Sequence, residues 1–280
     1  MRDFTLNTYR SLLKAFQEKG YAFITYAEYC TLQNSVPGII ILRHDVDALP
    51  QNSLRLARLE NSLGIRGTYY FRMVPGCYDE VIIREIFGLG HEIGYHYETV
   101  ATVCKKKIPR LASGETPPFA KGDKIQKNPP EMIEEAYALF VRNLERLRKI
   151  VPVKTICMHG SPLSKYDNKA IWEKYDYHSL GIIGEPYFDI DFDQVAYFTD
   201  TGRRWNGAHV SIRDKVEGTF HFNFRSTQDI IRNIHLLPPQ VMFTIHPQRW
   251  TDSFPRWLKE WIFQNMKNMI KWSLINMGKR

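Results

Sequence analysis

Gly38-Ile39-Ile40-Ile41-Leu42 is a short, wholly apolar run rich in β-branched side chains. It has no polar face to turn to water, so it predicts a strand covered on both sides, the pattern of a parallel sheet. Helical periodicity follows over residues 51–63, where Leu54, Leu56, Ala57, Leu59 and Leu63 recur before Gly64. The alternation then repeats: residues 67–71 predict a second strand, 79–89 a helix ending at Gly90, and 91–96 a third strand. Pro129-Pro130 opens a helix to about residue 150, and residues 153–158 predict a fourth strand. Residues 182–184, 195–198, 217–222 and 241–245 are further strand candidates, and residues 5–20 form an opening helix closed by Gly20. Strand and helix in turn imply βαβ units, hence an α/β chain built on a parallel sheet or barrel. Its 280 residues are ordinary for one such domain.

In parallel α/β architectures ligands sit at the carboxyl ends of the strands, so what each strand ends with carries the functional signal. The first ends in Arg43-His44-Asp45-Val46-Asp47, the third in His96-Tyr97-Glu98, the fourth in His159-Gly160-Ser161-Pro162, and the last candidate in His246-Pro247. A packed core has no use for carboxylate and imidazole at four separate strand ends. Asp45 and Asp47, two residues apart, point to one face if the strand continues. The mixed set suits zinc, with cobalt, nickel or manganese as alternatives. A cation held by three protein groups keeps a position for water, and a neighbouring carboxylate and histidine serve as base and acid. Those parts make an amide or ester hydrolase. Taken singly each has a blander reading: Asp45 and Asp47 as helix caps, His96 as a core histidine. His91 begins its strand at the wrong end for the site and is expected to be structural.

Composition removes several classes. Apolar residues at 44% and charged residues at 24% describe a globular chain. The four cysteines, Cys30, Cys77, Cys104 and Cys157, form no C-x-x-C pair, which argues against a disulfide framework or zinc-thiolate site. The first residues lack the apolar stretch of a signal peptide, and no run is long enough to span a bilayer. A cytoplasmic protein is the expectation. Between Lys105 and Lys127 seven Lys or Arg face only Glu115 and Asp123, within an overall charge of +8. This segment reads as a solvated basic loop inserted over 101–130, or as an attractor for an anionic partner. No nucleic-acid motif accompanies it.

At the strand ends the sequence resembles the polysaccharide deacetylase (NodB-homology) family of carbohydrate esterases, in a branch with an R-H-D-V-D motif associated with surface-polysaccharide synthesis. The resemblance runs from Arg43–Asp47 through Gly67–Phe71 to Leu89-Gly90-His91-Glu92-Ile93-Gly94-Tyr95-His96-Tyr97-Glu98. It resumes at Met158–Pro162, at Thr199-Asp200-Thr201-Gly202-Arg203-Arg204-Trp205, and at Ile245-His246-Pro247-Gln248-Arg249-Trp250, covering roughly residues 38–250. It implies a distorted (β/α) barrel, with Asp45 as general base, Asp47 and His96 as metal ligands, and His246 as general acid. It also implies an N-acyl sugar as substrate, free or linked to nucleotide or lipid. The family places a second ligand histidine four residues after the first, and here that position is Val100. His159 is the preferred replacement, Glu98 or an additional water the alternatives, and weak or absent metal binding a further outcome. Arg43, His44, Tyr97, Asp200, Arg203, Arg204, Trp205 and Trp250 are the expected substrate contacts, with guanidinium groups gripping anions and tryptophan stacking on a sugar ring. Two rivals remain open: a hydrolase of another non-peptide amide, and a sugar-binding protein with a decayed metal site.

Residues 256–278 combine Trp257, Trp261 and Trp272 with other apolar side chains and several lysines. Such an amphipathic helix docks on its own barrel, on a second subunit in an oligomer, or on a membrane interface without spanning it.

Overall fold

A computed structural model describes residues 2–32, 38–107, 130–161, 164, 166–205 and 216–277. The chain opens on helix α1 (Leu6–Glu18), started by a capping box in which the Thr5 hydroxyl accepts from Thr8 N and the Thr8 side chain returns to Thr5 N. Its inner stripe, Tyr9, Leu12, Leu13 and Phe16, is buried. There follow β1 (Ala22–Ile24), α2 (Tyr26–Thr31), β2 (Ile39–Val46), α3 (Pro50–Asn61), β3 (Thr68–Phe71), α4 (Glu80–Gly88), β4 (Glu92–Tyr97), α5 (Thr99–Lys107) and α6 (Pro130–Arg148). The second half contains β5 (Ile156–Met158), α7 (Pro186–Asp189), β6 (Ala196–Thr199), α8 (Thr227–Arg232), β7 (Gln240–Ile245) and α9 (Phe254–Met277).

All strand pairings are parallel, in the order β5-β4-β3-β2-β7-β6. β1 pairs with residues 39–41 of β2 and β3 with residues 43–46, while β7 runs along residues 39–44. Since a strand has two edges, β1 and β3 must share one of them, below and above. Past β5 a single parallel bridge joins Thr155 to Gly184. The sheet is thus a curled half-barrel with helices around it, open between Gly184 and β6 among the described residues.

β2 is buried along its whole length, and its period of two sorts its side chains. Ile40 and Leu42 join the layer under α1 and α3, whereas Ile41 packs inside the barrel with Tyr26, Tyr70, Cys157 and Met242. Each such side chain removed from water stabilises the fold by about 1.5–3 kcal/mol. Gly94 on β4 permits the curl: a Cβ there would stand 2.3 Å from Tyr70 Cε1 and 3.1 Å from the Thr155 carbonyl oxygen.

Several expectations change. Residues 182–184 contribute one bridge and no strand. Residues 217–222 are not a strand either; Phe220, Phe222 and Phe224 stack in a row with Phe198, so their alternation marks a packed face without a hydrogen-bonded ladder. The first part of the supposed inserted loop, through Lys107, belongs to helix α5, and 108–129 lie outside the described residues. α9 begins at Phe254 and docks by its first turns on its own chain, Trp257 Nε1 donating to the Asp3 carbonyl at 2.6 Å.

Candidate metal centre

Because the strands are parallel, β2, β4, β5 and β7 deliver their carboxyl ends to one cavity. β2 carries Asp45 inside the barrel; the chain leaves the strand after Val46, and Asp47 N turns back to the Asp45 carbonyl at 3.1 Å. Both carboxylates therefore reach the same imidazole. His96 Nε2 lies 3.7 Å from Asp45 Oδ2 and 3.5 Å from Asp47 Oδ1. His159, one residue past β5, brings its Nε2 to 3.5 Å from the same Asp47 oxygen.

The rings are held from behind. His96 Nδ1 is 3.0 Å from the Cys157 carbonyl oxygen, and His159 Nδ1 is 3.0 Å from Glu98 Oε2. Each Nδ1 faces an acceptor and donates to it, so the neutral ring has its lone pair on Nε2, facing Asp47, as metal-binding histidines are held. Asp47 Oδ1 is buried and has no hydrogen-bond partner. Burial alone would raise the Asp47 pKa, but His96, His159 and His246 more than offset it and hold the carboxyl well below its ordinary range. Donor atoms around a tetrahedral zinc stand about 3.3 Å apart, so the two 3.5 Å separations fit a cation with little movement. Asp45, His96 and Cys157 form a second close group, but Asp45 is already engaged. Arg43 Nε and Nη2 grip its two oxygens at 2.8 and 2.6 Å in a fully buried, bidentate pair. Burial pushes the Asp45 pKa up; Arg43 and His96 outweigh it and keep the carboxylate ionised.

Opposite stands His246, just past β7. Its Nδ1 is 2.6 Å from Asp200 Oδ1, and its backbone N donates to Asp200 Oδ2 at 2.9 Å. Nε2 faces the cavity, 3.8 Å from Asp47 Oδ2. Burial and Arg249 both lower its pKa, but Asp200 and Asp47 prevail and raise it above the ordinary histidine value.

The remaining predicted residues sort by this geometry. Glu98 spends Oε2 on His159 and Oε1 on Arg72, whose Nε and Nη2 donate at 3.0 and 2.5 Å, so both its oxygens are engaged. Four expected substrate contacts are corrected. His44 points to the outer side of β2, fully buried against Glu60 at 2.9 Å and Tyr9 at 3.1 Å, because it alternates with Asp45. Tyr97 is sealed under Trp172, which donates to its hydroxyl at 2.9 Å. Trp205 packs in the aromatic core with Phe4, Phe243 and Trp250, so its face is not open to a sugar. Trp250 is buried too, and its Nε1 donates to Asp200 Oδ2 at 2.7 Å. Asp200 and Arg43 hold other side chains, Arg204 is exposed, and Arg203 is turned toward Phe4 and Trp257. Neither Asp45 nor Asp47 caps α3, whose N-cap is Leu49 without a side-chain bond. His91 accepts from Gly67 N and faces the Ala57 carbonyl, a structural role. Val100 is buried beside Val103, Ile133 and Ala136, which fills its place with apolar packing.

Two further charged residues stand at strand ends. Arg72 directly follows β3 and Arg249 lies four residues past β7, where it donates to Asp200 Oδ1 at 2.6 Å. Asn168 had no sequence signal; it donates to the His159 carbonyl and to Ser161 Oγ at 2.8 and 3.1 Å.

No family model and no curated protein matches the chain. Among solved structures it is similar to a Streptococcus mutans CE4 esterase, at 12% identity over 91% of this chain and 90% of that one, TM-score 0.42. It is similar to a family 4 carbohydrate esterase from Bacillus anthracis, at 10% identity over 82% and 75%, TM-score 0.36. It is also similar to a CE4 family pseudoenzyme from Bacillus anthracis, at 12% identity, 81% of this chain and TM-score 0.41, where the match spans 60% of the other chain's length.

Proposed function

We propose that this cluster is the centre of a metal-dependent hydrolase that removes an N-acyl group, acetyl foremost, from a sugar. The observation that carries the reading is Asp47 Oδ1, a buried oxygen without a donor, facing two Nε2 atoms whose rings have committed their Nδ1 protons elsewhere. Asp47, His96 and His159 would hold zinc or a related first-row divalent ion. When bound, such an ion polarises an acyl carbonyl and lowers the pKa of water from about 16 toward about 7.

The chain's own residues supply the proton transfers. Asp45, kept ionised by Arg43, takes the proton of the attacking water. His246, oriented by Asp200, presents Nε2 to the same cavity and gives a proton to the departing amine. The C–O bond forms first and the C–N bond then breaks as the amine is protonated, leaving a carboxylate and a sugar amine. The sugar is supported by the motif resemblance, and the acyl chemistry by the base, acid and ligand set around one cavity.

The test is to load the purified protein with zinc, cobalt, nickel or manganese and assay N-acetylated sugars, sugar nucleotides and other amides. Asp45→Asn is expected to keep its metal and lose turnover by about 10²–10⁴-fold. Wild-type protein that binds sugars and never turns them over with any metal would overturn the reading.

A further inference from the structure

A second cavity, of about 650 Å³, lies between the N-terminal segment, residues 225–226 and the first turns of α9, and shares no lining residue with the metal cluster. Its unusual member is Arg203. That residue has a left-handed backbone, φ 54°, which a non-glycine side chain adopts at a cost, and it is only 8% exposed. Its guanidinium carbon sits 5.2 Å from the ring centres of both Phe4 and Trp257. Nη1 donates to the Arg249 carbonyl at 3.4 Å, but Nε and Nη2 are buried with no partner. They correspond to the Nε and Nη2 with which Arg43, elsewhere in the molecule, grips the Asp45 carboxylate. Leaving such an edge unpaired is expensive, and an oxyanion in the guanidinium plane satisfies it in bidentate fashion.

Arg2, stacked over Phe254 and Trp257, and the exposed Arg225 add positive charge at the rim. Two acids are near. Asp3 spends its oxygens on Phe4 N, Thr227 N and Thr227 Oγ1, and Glu260 acts on Arg203 electrostatically without a hydrogen bond to Nε or Nη2.

α9 continues past Trp257 and Trp261, which line this cavity. Trp261, Ile262, Met266 and Met269 are all exposed, 48%, 45%, 54% and 70%, and share one arc of the helix. Arg256, Lys259 and Lys267 occupy the adjoining arc, and no described helix is long and apolar enough to cross a membrane. An apolar stripe beside basic residues is the pattern of helices that lie in a bilayer interface.

We propose that the Arg203 cavity takes the phosphate of an anionic lipid while α9 rests on the membrane surface. A free phosphate needs only the guanidinium edge; a lipid uses that edge and the exposed apolar arc beside it.

The test is sedimentation of the full chain with phosphatidylcholine vesicles, with and without phosphatidylglycerol, alongside titration with inorganic phosphate. Wild type is expected to sediment only with the anionic vesicles. Arg225→Gln, at an exposed position that folding does not depend on, weakens this about five-fold. Arg203→Gln and the double change Met266→Gln with Met269→Gln weaken it further, with circular dichroism confirming that each variant is folded. Absence of vesicle binding, binding unchanged in the arginine variants, or binding of inorganic phosphate alone would each overturn the proposal. None of these assays reads hydrolysis or metal content, so their failure leaves the metal-centre reading untouched.

Discussion

His159 Nδ1 lies 3.0 Å from Glu98 Oε2, and Arg72 holds the other oxygen of the same carboxylate. The pairing keeps Glu98 ionised: burial raises its pKa, but His159 and Arg72 bring it down to about 2. It also decides which face His159 shows to Asp47. Glu98→Gln is therefore expected to lower metal affinity by about 10–100-fold, since one amide oxygen must then serve both His159 Nδ1 and Arg72, and the negative charge behind the ring is gone. Calorimetric zinc titration checks this; unchanged affinity would show that Glu98 does not orient the ligand.

On the proposed mechanism, Asp200 and His246 set the alkaline side of the rate profile. Asp200 and Asp47 raise the His246 pKa against burial and Arg249, so the protonated acid survives to higher pH than a free histidine. Activity that needs that proton falls as pH rises through the raised value. In Asp200→Asn only Asp47 is left to oppose burial and Arg249, so the pKa drops and the alkaline limb of kcat moves to lower pH. A pH–rate profile with an unmoved limb would assign the acid to another group.

Stability draws on a separate buried cluster. Glu60 Oε1 lies 2.9 Å from His44 Nε2 and accepts from Tyr9 at 2.7 Å, while Oε2 accepts from Tyr69 at 2.9 Å. Burial pushes the Glu60 pKa up, and His44, His91 and Tyr9 more than reverse this, leaving it below its ordinary value. A carboxyl depressed in the folded state gives stability that is full above the unfolded pKa of about 4.5 and lost as pH falls toward the folded one. Glu60→Gln removes one partner of a buried pair and is expected to cost about 3–5 kcal/mol at neutral pH. Urea denaturation at pH 7 and pH 4 checks both parts: the variant is weaker at pH 7 and loses less on acidification.

Val100→His introduces the histidine spacing of the deacetylase family that the sequence resembles, without adding a ligand. Val100 is fully buried in an apolar cluster with Val103, Ile133 and Ala136. An imidazole there lacks a partner and costs about 1–3 kcal/mol. Metal affinity that rises in this variant would show that α5 can turn position 100 toward Asp47.

The strand ends were legible because parallel topology brings them together whatever the helices do, so Asp45, Asp47, His96, His159 and His246 were all in view from the sequence. The substrate list was less legible for a reason of periodicity. His44 and Asp45 are neighbours on β2, and alternation sends one outward to Glu60 and the other into the barrel. Trp205 and Trp250 resemble sugar platforms in sequence, yet the closeness of Phe4 and Phe243 puts both in the core. Phe220, Phe222 and Phe224 alternate like a strand, but alternation fixes a buried face and says nothing about a hydrogen-bonding neighbour.

By itself the sequence determined the alternation of elements and the polar group at each strand end, since both are local: periodicity and adjacency along the chain. Only the tertiary structure decided partners. Glu98 turns to His159 across 61 residues, Arg72 holds it from β3, and Arg203 finds no hydrogen-bond partner for its Nε and Nη2. Hydrogen bonds and ion pairs act over about 3 Å in space, and the curl of the sheet sets which distant residues come that near.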